Sequence, residues 1–164
     1  MRYNKIRKMD ISNGPGVRVS IFMQGCTFHC KNCFNPETHD FKGGQEFNYE
    51  TMEQVLKLCE NENVEGLSIL GGEPMHPFNI DGTTQLAKEF KERFPHKNLW
   101  IWTGFLFDKD LKDKEVLQYI DVLVDGQYVD ELRNPKLKYS GSSNQRVIDV
   151  KKSLKQNEIV LIEN

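Results

Sequence analysis

Two kinds of short apolar pattern alternate along this chain, and the alternation limits its architecture more than any other feature. Val17, Val19, Ile21 and Met23 recur at every second position, with Arg18, Ser20 and Phe22 between them; this predicts a strand ending just before Gly25-Cys26. Met52, Val55, Leu56 and Cys59 then follow at offsets of three, four and seven residues, the stripe of an amphipathic helix. Thr51, with Gln54 three residues on, resembles a capping box opening that helix. Gly66-Leu-Ser-Ile-Leu70 is an apolar run stopped by Gly71-Gly72, so strand, loop, helix and strand form a βαβ unit. The pattern continues with a helical stripe on Thr83, Leu86, Ala87, Phe90 and Phe94 and a strand at Leu99-Trp-Ile-Trp102. A helix over 112–119, a strand at Val122-Leu-Val124 and a final strand-like Ile159-Val-Leu-Ile162 complete it. The class is α/β with a mostly parallel sheet.

Length narrows the choice. A closed eight-unit barrel usually needs about 200 residues or more, and this chain of 164 residues fits one domain, 1–164. An open partial (βα) barrel satisfies both the repeat and the length, and leaves a lateral mouth ringed by loops at the strands' carboxyl ends, where chemistry sits in such folds. Three of those strand ends carry unusual loops: the cysteines after Gly25, Gly71-Gly72-Glu73-Pro74, and Val124-Asp125-Gly126-Gln127. With 22 basic and 24 acidic residues interspersed, nothing marks a basic face for nucleic acid. No apolar run approaches a membrane span, and Met1-Arg2-Tyr3-Asn4 lacks the apolar core of a signal peptide. A few clustered cysteines fit a reducing compartment better than a disulfide scaffold, so the expected location is the cytoplasm.

Three of the four cysteines lie in one run, Cys26-Thr-Phe-His-Cys30-Lys-Asn-Cys33. Three thiolates bind three corners of an iron–sulfur cube and leave one iron open. A structural zinc site instead closes all four positions, and His29 or His39 could supply the fourth here; a disulfide within the run is also conceivable. Cys59 lies on the apolar helical stripe, which predicts a buried core residue.

Gly71 and Gly72 allow a positive φ or a close approach of backbone to a ligand, Glu73 offers a charged acceptor and Pro74 stiffens the exit. A tight turn after a strand explains the same residues equally well. Beside a three-cysteine loop, the segment becomes a place to hold a small molecule against an open iron, and an ammonium group would suit Glu73.

The Cys-x3-Cys-x2-Cys run followed by Gly-Gly-Glu-Pro resembles the radical S-adenosylmethionine superfamily. Asp10-Ile-Ser-Asn-Gly-Pro-Gly-Val-Arg18 and Phe22-Met-Gln-Gly-Cys26 narrow the resemblance to the activating enzymes of glycyl-radical proteins. Trp100-Ile-Trp-Thr-Gly104, Asp121-Val-Leu-Val-Asp-Gly-Gln127 and Gly141-Ser-Ser-Asn-Gln-Arg146 narrow it to the branch that acts on anaerobic ribonucleoside-triphosphate reductase. Asn32 departs from the wider superfamily, where an aromatic commonly precedes the last cysteine; here Phe34 follows it.

The resemblance implies a [4Fe-4S] cluster on Cys26, Cys30 and Cys33, with S-adenosyl-L-methionine chelating the fourth iron. Reductive cleavage would yield methionine and a 5′-deoxyadenosyl radical, which takes a hydrogen from a glycine near the reductase's C-terminus. No catalytic side chain is implied beyond cluster and cofactor. The implied cofactor-binding residues are Asn32, Cys33, Phe34, Gly71, Gly72 and Glu73, with Thr103 and Asp125 at later strand ends; for Asp125 a turn role is an equal alternative. The implied partners are the reductase and a flavodoxin-type electron donor, with neither nucleic acid nor membrane. Two other readings stay open: another glycyl-radical activator or radical enzyme, and a non-catalytic zinc or iron–sulfur binding module. Outside the motifs, Arg18 is expected to pair with Asp10 or another acid, with orientation of the cysteine loop as the alternative; Trp100 and Trp102 are expected on one strand face, in the core or against a partner, and His29 to face solvent or the partner.

Overall fold

The computed structural model describes residues 1–164 and builds them around one seven-stranded sheet. In chain order the elements are β1 (Arg2–Asp10), β2 (Arg18–Gln24), β3 (Gln45–Glu46), α1 (Tyr49–Leu58), β4 (Gly66–Gly71) and α2 (Ile80–Arg93). They continue with β5 (Asn98–Trp102), β6 (Val122–Asp125), β7 (Arg146–Asp149) and α3 (Val150–Gln156). The spatial order is β3-β1-β2-β4-β5-β6-β7. The centre, β2-β4-β5-β6, is parallel, whereas β1 and β3 on one margin and β7 on the other pair antiparallel. The fold is therefore α/β as expected, with a mixed rather than uniformly parallel sheet.

Strand side chains alternate between faces, and the two sets have different fates. Val19, Ile21, Met23, Leu67, Ile69, Leu99, Ile101, Leu123 and Ile148 join Val55, Leu56, Leu86, Ala87 and Phe90 from the helices in one core. The other face carries a smaller cluster, Trp100, Val122, Val124 and Val147 with Trp102 and Tyr139 against it. A parallel sheet ordinarily takes helices on both faces. Here the second face, at Phe22, Leu70 and Trp102, lines a cavity instead.

Several expectations need correction. Helix α1 begins before Thr51: Asn48 is the N-cap, its side chain accepts from Thr51 N–H at 2.9 Å, and Thr51 occupies the third helical position. The helix expected over 112–119 is a short 3₁₀ helix, Glu115–Tyr119, and Ile120 turns extended to enter β6. The strand-like Ile159–Ile162 does not form a full strand; Leu161 makes one bridge to Ile148. Three strands carry no alternating apolar signature in the sequence: β1, the two-residue β3 and β7. β1 is mostly polar because it covers β2 near the sheet margin, with Lys5 and Arg7 lying over the Phe22 ring at 4.7 and 4.9 Å. β7 and α3 follow a glycine- and serine-rich stretch; α3 is capped by Asp149, which accepts from Lys152 N–H at 3.0 Å, and ends at Asn157 in the left-handed region.

Arg18 is fully buried, yet its partner is not an acid. Its guanidinium donates to Ser68 Oγ at 2.7 Å, to the carbonyls of Leu67 and Pro15 at 3.1 Å, and to that of Asn98 at 3.3 Å. Asp10 is engaged by Ser12 N–H and the Asn13 amide instead, at 2.8 and 2.7 Å. Burial lowers the Arg18 pKa to about 10, so it remains a cation held by carbonyl dipoles. It thereby joins the loop after β1 to the amino ends of β4 and β5.

Candidate active site at the strand carboxyl ends

The cysteine loop grows directly from the end of β2, and its geometry explains the Met-Gln-Gly-Cys sequence. Gln24 is buried and donates to the carbonyls of Glu37 and Asp40 at 3.0 and 2.7 Å, tying the start of the loop to its return. Gly25 N–H bonds to Thr38 C=O at 2.7 Å, and Cys26 N–H to His39 C=O at 3.2 Å. Gly25 adopts φ +105°, and a β-carbon there would fall 2.2 Å from the Phe41 ring, so only glycine fits. Within the loop, His29 and Asn32 both take positive φ, 49° and 56°. Two non-glycine residues in the left-handed region eight or fewer positions after a strand mark stored strain at a functional loop.

Cys26, Cys30 and Cys33 line one cavity of about 530 Å³ together with Phe34, Gly71, Gly72, Glu73, Thr103 and Gly104. That volume is in the range of small-molecule sites. All four cysteines are free thiols, so no disulfide forms within the run. No three histidine, cysteine or acidic side chains converge as they would around a single ion. The Cys3His arrangement is therefore not assembled; His29 is exposed and meets His39 edge to face with centroids 4.6 Å apart. The donor set fits a cube, whose irons occupy separate corners and take one thiolate each. Burial pushes the Cys26 and Cys33 thiols up, opposed in part by N–H groups of Phe28 and His29 for Cys26 and of Asn35 for Cys33. A bound cluster would reverse that balance, because metal ligation requires the thiolate. Cys59 is fully buried in the core, and burial drives its thiol up to about 12.

Glu73 sits at the junction of two strand ends and is 1 % exposed. One carboxylate oxygen accepts from Gly104 N–H at 2.7 Å; the other accepts from Thr103 Oγ at 2.6 Å and Met75 N–H at 2.8 Å. Burial pushes the Glu73 carboxyl up to about 7, and those three hydrogen bonds limit the rise. Glu73 thus welds the loop after β4 to the loop after β5, and it is one of the residues that line the cavity. Gly71 adopts φ +110°, and β-carbons at Gly71 and Gly72 would meet backbone at 2.6 Å, of Met23 and Gly25 respectively. Both glycines are required by packing between adjacent strand ends.

Not every expected residue reaches the cavity. Asn32 is exposed and donates to Asp130 at 2.9 Å, outside the cavity wall. Asp125 is fully buried: it accepts Arg146 Nε at 2.9 Å and a terminal guanidinium nitrogen at 2.6 Å, plus Phe107 N–H at 2.8 Å. It belongs to an ion pair behind the wall, and its neighbours Gly126 and Gln127 line the cavity in its place. The sequence reading missed the supporting residues Gln24, Asn79 and Gln145. Asn79 is 2 % exposed and donates to the carbonyls of Gln24 and Glu73 at 3.2 and 3.0 Å, joining the two loops from below. Only Gln24 and Gln145 stood within motifs singled out beforehand.

No helix is long and apolar enough to cross a membrane. A family model described as a 4Fe-4S single cluster domain matches residues 12–148. The anaerobic ribonucleoside-triphosphate reductase-activating protein of Enterobacteria phage T4 is 39% identical over 147 residues, 90% of this chain and 93% of that protein. The protein of the same name from Vibrio cholerae is 37% identical over 148 residues, 88% of this chain and 96% of its own length. That of Escherichia coli strain K12 is 35% identical over 150 residues, with 90% and 97% covered. With the cysteine cavity and this agreement along nearly its whole length, the chain belongs to the family of anaerobic ribonucleoside-triphosphate reductase-activating proteins.

Proposed function

We propose that this protein activates an anaerobic ribonucleoside-triphosphate reductase, using a [4Fe-4S] cluster held by Cys26, Cys30 and Cys33 and a molecule of S-adenosyl-L-methionine in the adjoining cavity. The observation that carries the reading is the meeting of three cysteine thiols with the Gly71-Gly72-Glu73 and Thr103-Gly104 strand ends around one cavity. When bound, cluster and cofactor supply reductive cleavage of a sulfonium and a radical able to take hydrogen from a glycine Cα. The chain's residues bind, orient and exclude water. Glu73 presents a carboxylate to the cofactor's ammonium, Thr103 holds that carboxylate in place, and Phe34 borders the cysteine end. The apolar wall of Phe22, Leu70 and Trp102 keeps water from the radical.

In this reading the sheet is the open partial (βα) barrel of the radical S-adenosylmethionine type, one domain over 1–164, working in the cytoplasm with a flavodoxin-type electron donor. What supports the open barrel is the helix-free second face, which leaves room for a loop of the partner to enter bodily. Anaerobically reconstituted protein with dithionite and S-adenosylmethionine should form 5′-deoxyadenosine, and adding the reductase should produce a glycyl radical in its electron paramagnetic resonance spectrum. A fully loaded cluster that yields no cleavage product overturns the reading, and a radical on a different protein reassigns the partner.

A further inference from the structure

Gly141-Ser-Ser-Asn-Gln-Arg146 is the sequence motif that the proposed chemistry leaves without a task. In the fold it adjoins a strap, residues 126–141, which runs from the end of β6 along the cavity and contributes Tyr128, Arg133, Leu137 and Tyr139 to its wall, where Gly141 and Gln145 of the motif also lie. The strap has little regular structure, one 3₁₀ turn at Asp130–Leu132, so something else must fix it.

Gln145 does so at both ends. Its side-chain oxygen accepts from Gly141 N–H at 2.9 Å and from Ser142 N–H at 3.1 Å, while its amide nitrogen donates to Gly126 C=O at 3.0 Å. One side chain therefore joins the first and last residues of the strap. Asn144 adds a bond to Gln127 C=O at 2.7 Å, and the fully buried Ser142 accepts Val129 N–H through Oγ at 3.1 Å while donating to Asn144 at 2.6 Å.

The same strap touches the cysteine loop. The Phe34 and Tyr128 rings pack with centroids 5.0 Å apart, Tyr128 donates to Asp130 at 2.9 Å, and Asp130 accepts from Asn32, also at 2.9 Å. A β-carbon on Gly141 would fall 2.7 Å from Phe34 and 3.0 Å from Tyr128, so the glycine lets both rings settle on the strap's end. Asn32 and Phe34, which flank Cys33, thus rest on a segment whose own position depends on Gln145.

The geometry points to Gln145 as a positioning residue that clamps the 126–141 strap against the cysteine loop and thereby sets how tightly the cavity holds a nucleoside sulfonium. The placement of the strap is independent of the proposed function; its effect on the cofactor rests on that reading. Loss of two or three hydrogen bonds of ordinary strength corresponds to about tenfold or more in a local equilibrium.

Hydrogen exchange on the full chain tests the first half. In Gln145→Ala, Gly141 and Ser142 amides should exchange about tenfold faster or more, while Ile101 and Leu123 in the sheet keep wild-type protection and report an intact fold. Gln145→Glu retains an acceptor for Gly141 and Ser142 and should restore most of their protection, although it loses the donor to Gly126 C=O. Equal exchange in wild type and Gln145→Ala overturns the clamp. With the cluster reconstituted, the S-adenosylmethionine dissociation constant of Gln145→Ala should rise about tenfold, with 5′-deoxyadenosine formation at saturation little changed. Fast strap exchange with unchanged affinity overturns the link to the cavity. Wild-type protein that carries a full cluster and binds no S-adenosylmethionine overturns the proposed function instead, and the exchange comparison still decides the clamp.

Discussion

Replacing Asp125 by alanine separates two roles that its position at a strand end allows. Its carboxylate is fully buried and receives three donors: Arg146 Nε at 2.9 Å, an Arg146 terminal nitrogen at 2.6 Å and Phe107 N–H at 2.8 Å. Truncation leaves Phe107 N–H without a partner in a buried place, which alone costs about 1–3 kcal/mol. Breaking one side of a buried ion pair costs about 3–5 kcal/mol, but the Arg146 side chain is 29% exposed and keeps Asp108 at 2.9 Å, so water and a second carboxylate soften the loss. The expected cost is about 3 kcal/mol, a large share of a total stability of about 5–15 kcal/mol. Urea unfolding should show it as a midpoint lower by about 1–2 M. Asp108→Ala, which removes the exposed partner, should cost less than about 1 kcal/mol. If Asp125 is structural, the variant loses stability while S-adenosylmethionine affinity of the folded, cluster-loaded fraction stays within a factor of about three. Stability within about 0.5 kcal/mol of wild type, together with lost cofactor binding, would refute the argument and return Asp125 to the cavity wall.

Cys30→Ala should fail to hold a cluster, seen as loss of the visible iron–sulfur absorbance, whereas Cys59→Ala should retain it at a stability cost of about 1 kcal/mol; equal loss of absorbance in both would contradict the ligand assignment. Glu73 titrates at about 7 in the fold against an ordinary 4.5, so the folded state binds the extra proton; its contribution to stability is complete below about pH 4.5 and is lost as pH rises through about 7. Comparing unfolding free energies of wild type and Glu73→Gln at pH 4.5 and 8 should show the wild type losing more over that interval, by on the order of 3 kcal/mol, and parallel curves would contradict it. Gly71→Ala forces a β-carbon to 2.6 Å from Met23 backbone at φ +110°, which should cost about 2 kcal/mol and lower the melting temperature by about 4–8 °C; an unchanged melting temperature would show that β4 and β2 yield at that point.

The apolar periodicities located the four parallel strands and the two longer helices because burial there is dictated by residue type and spacing alone. Val19, Ile21 and Met23 had to face one core, and the Val55, Leu56 and Cys59 stripe had to meet it. β1 escaped for the opposite reason. It lies near the sheet margin between two antiparallel neighbours, β2 and the two-residue β3, and Lys5 and Arg7 cover Phe22 with their stems and charges, so no apolar alternation is needed. The expected acid partner of Arg18 failed on a related point: carbonyls and a serine hydroxyl are indistinguishable in sequence from the rest of the backbone, yet together they replace a carboxylate.

The site was legible in its donors and illegible in its supports. Cysteine spacing marks three candidate ligands because thiolates are chosen for their chemistry, and a short loop brings Cys26, Cys30 and Cys33 to one cavity. Glutamines and asparagines that hold loops by their amides carry no such signature, since the same residues are equally at home in solvent. Gln24 donates to carbonyls in the return of the cysteine loop, and Asn79 and Gln145 donate to carbonyls at strand ends; those bonds help decide whether Cys26, Glu73 and Gly126 meet around one cavity. Removing any one leaves the three cysteines, the glycines and Glu73 in place in the sequence but frees one wall to move relative to the others. Mutations that weaken this protein without touching a ligand should therefore concentrate at those three amides rather than across the exposed surface, and they should act first on cavity geometry and only secondarily on global stability.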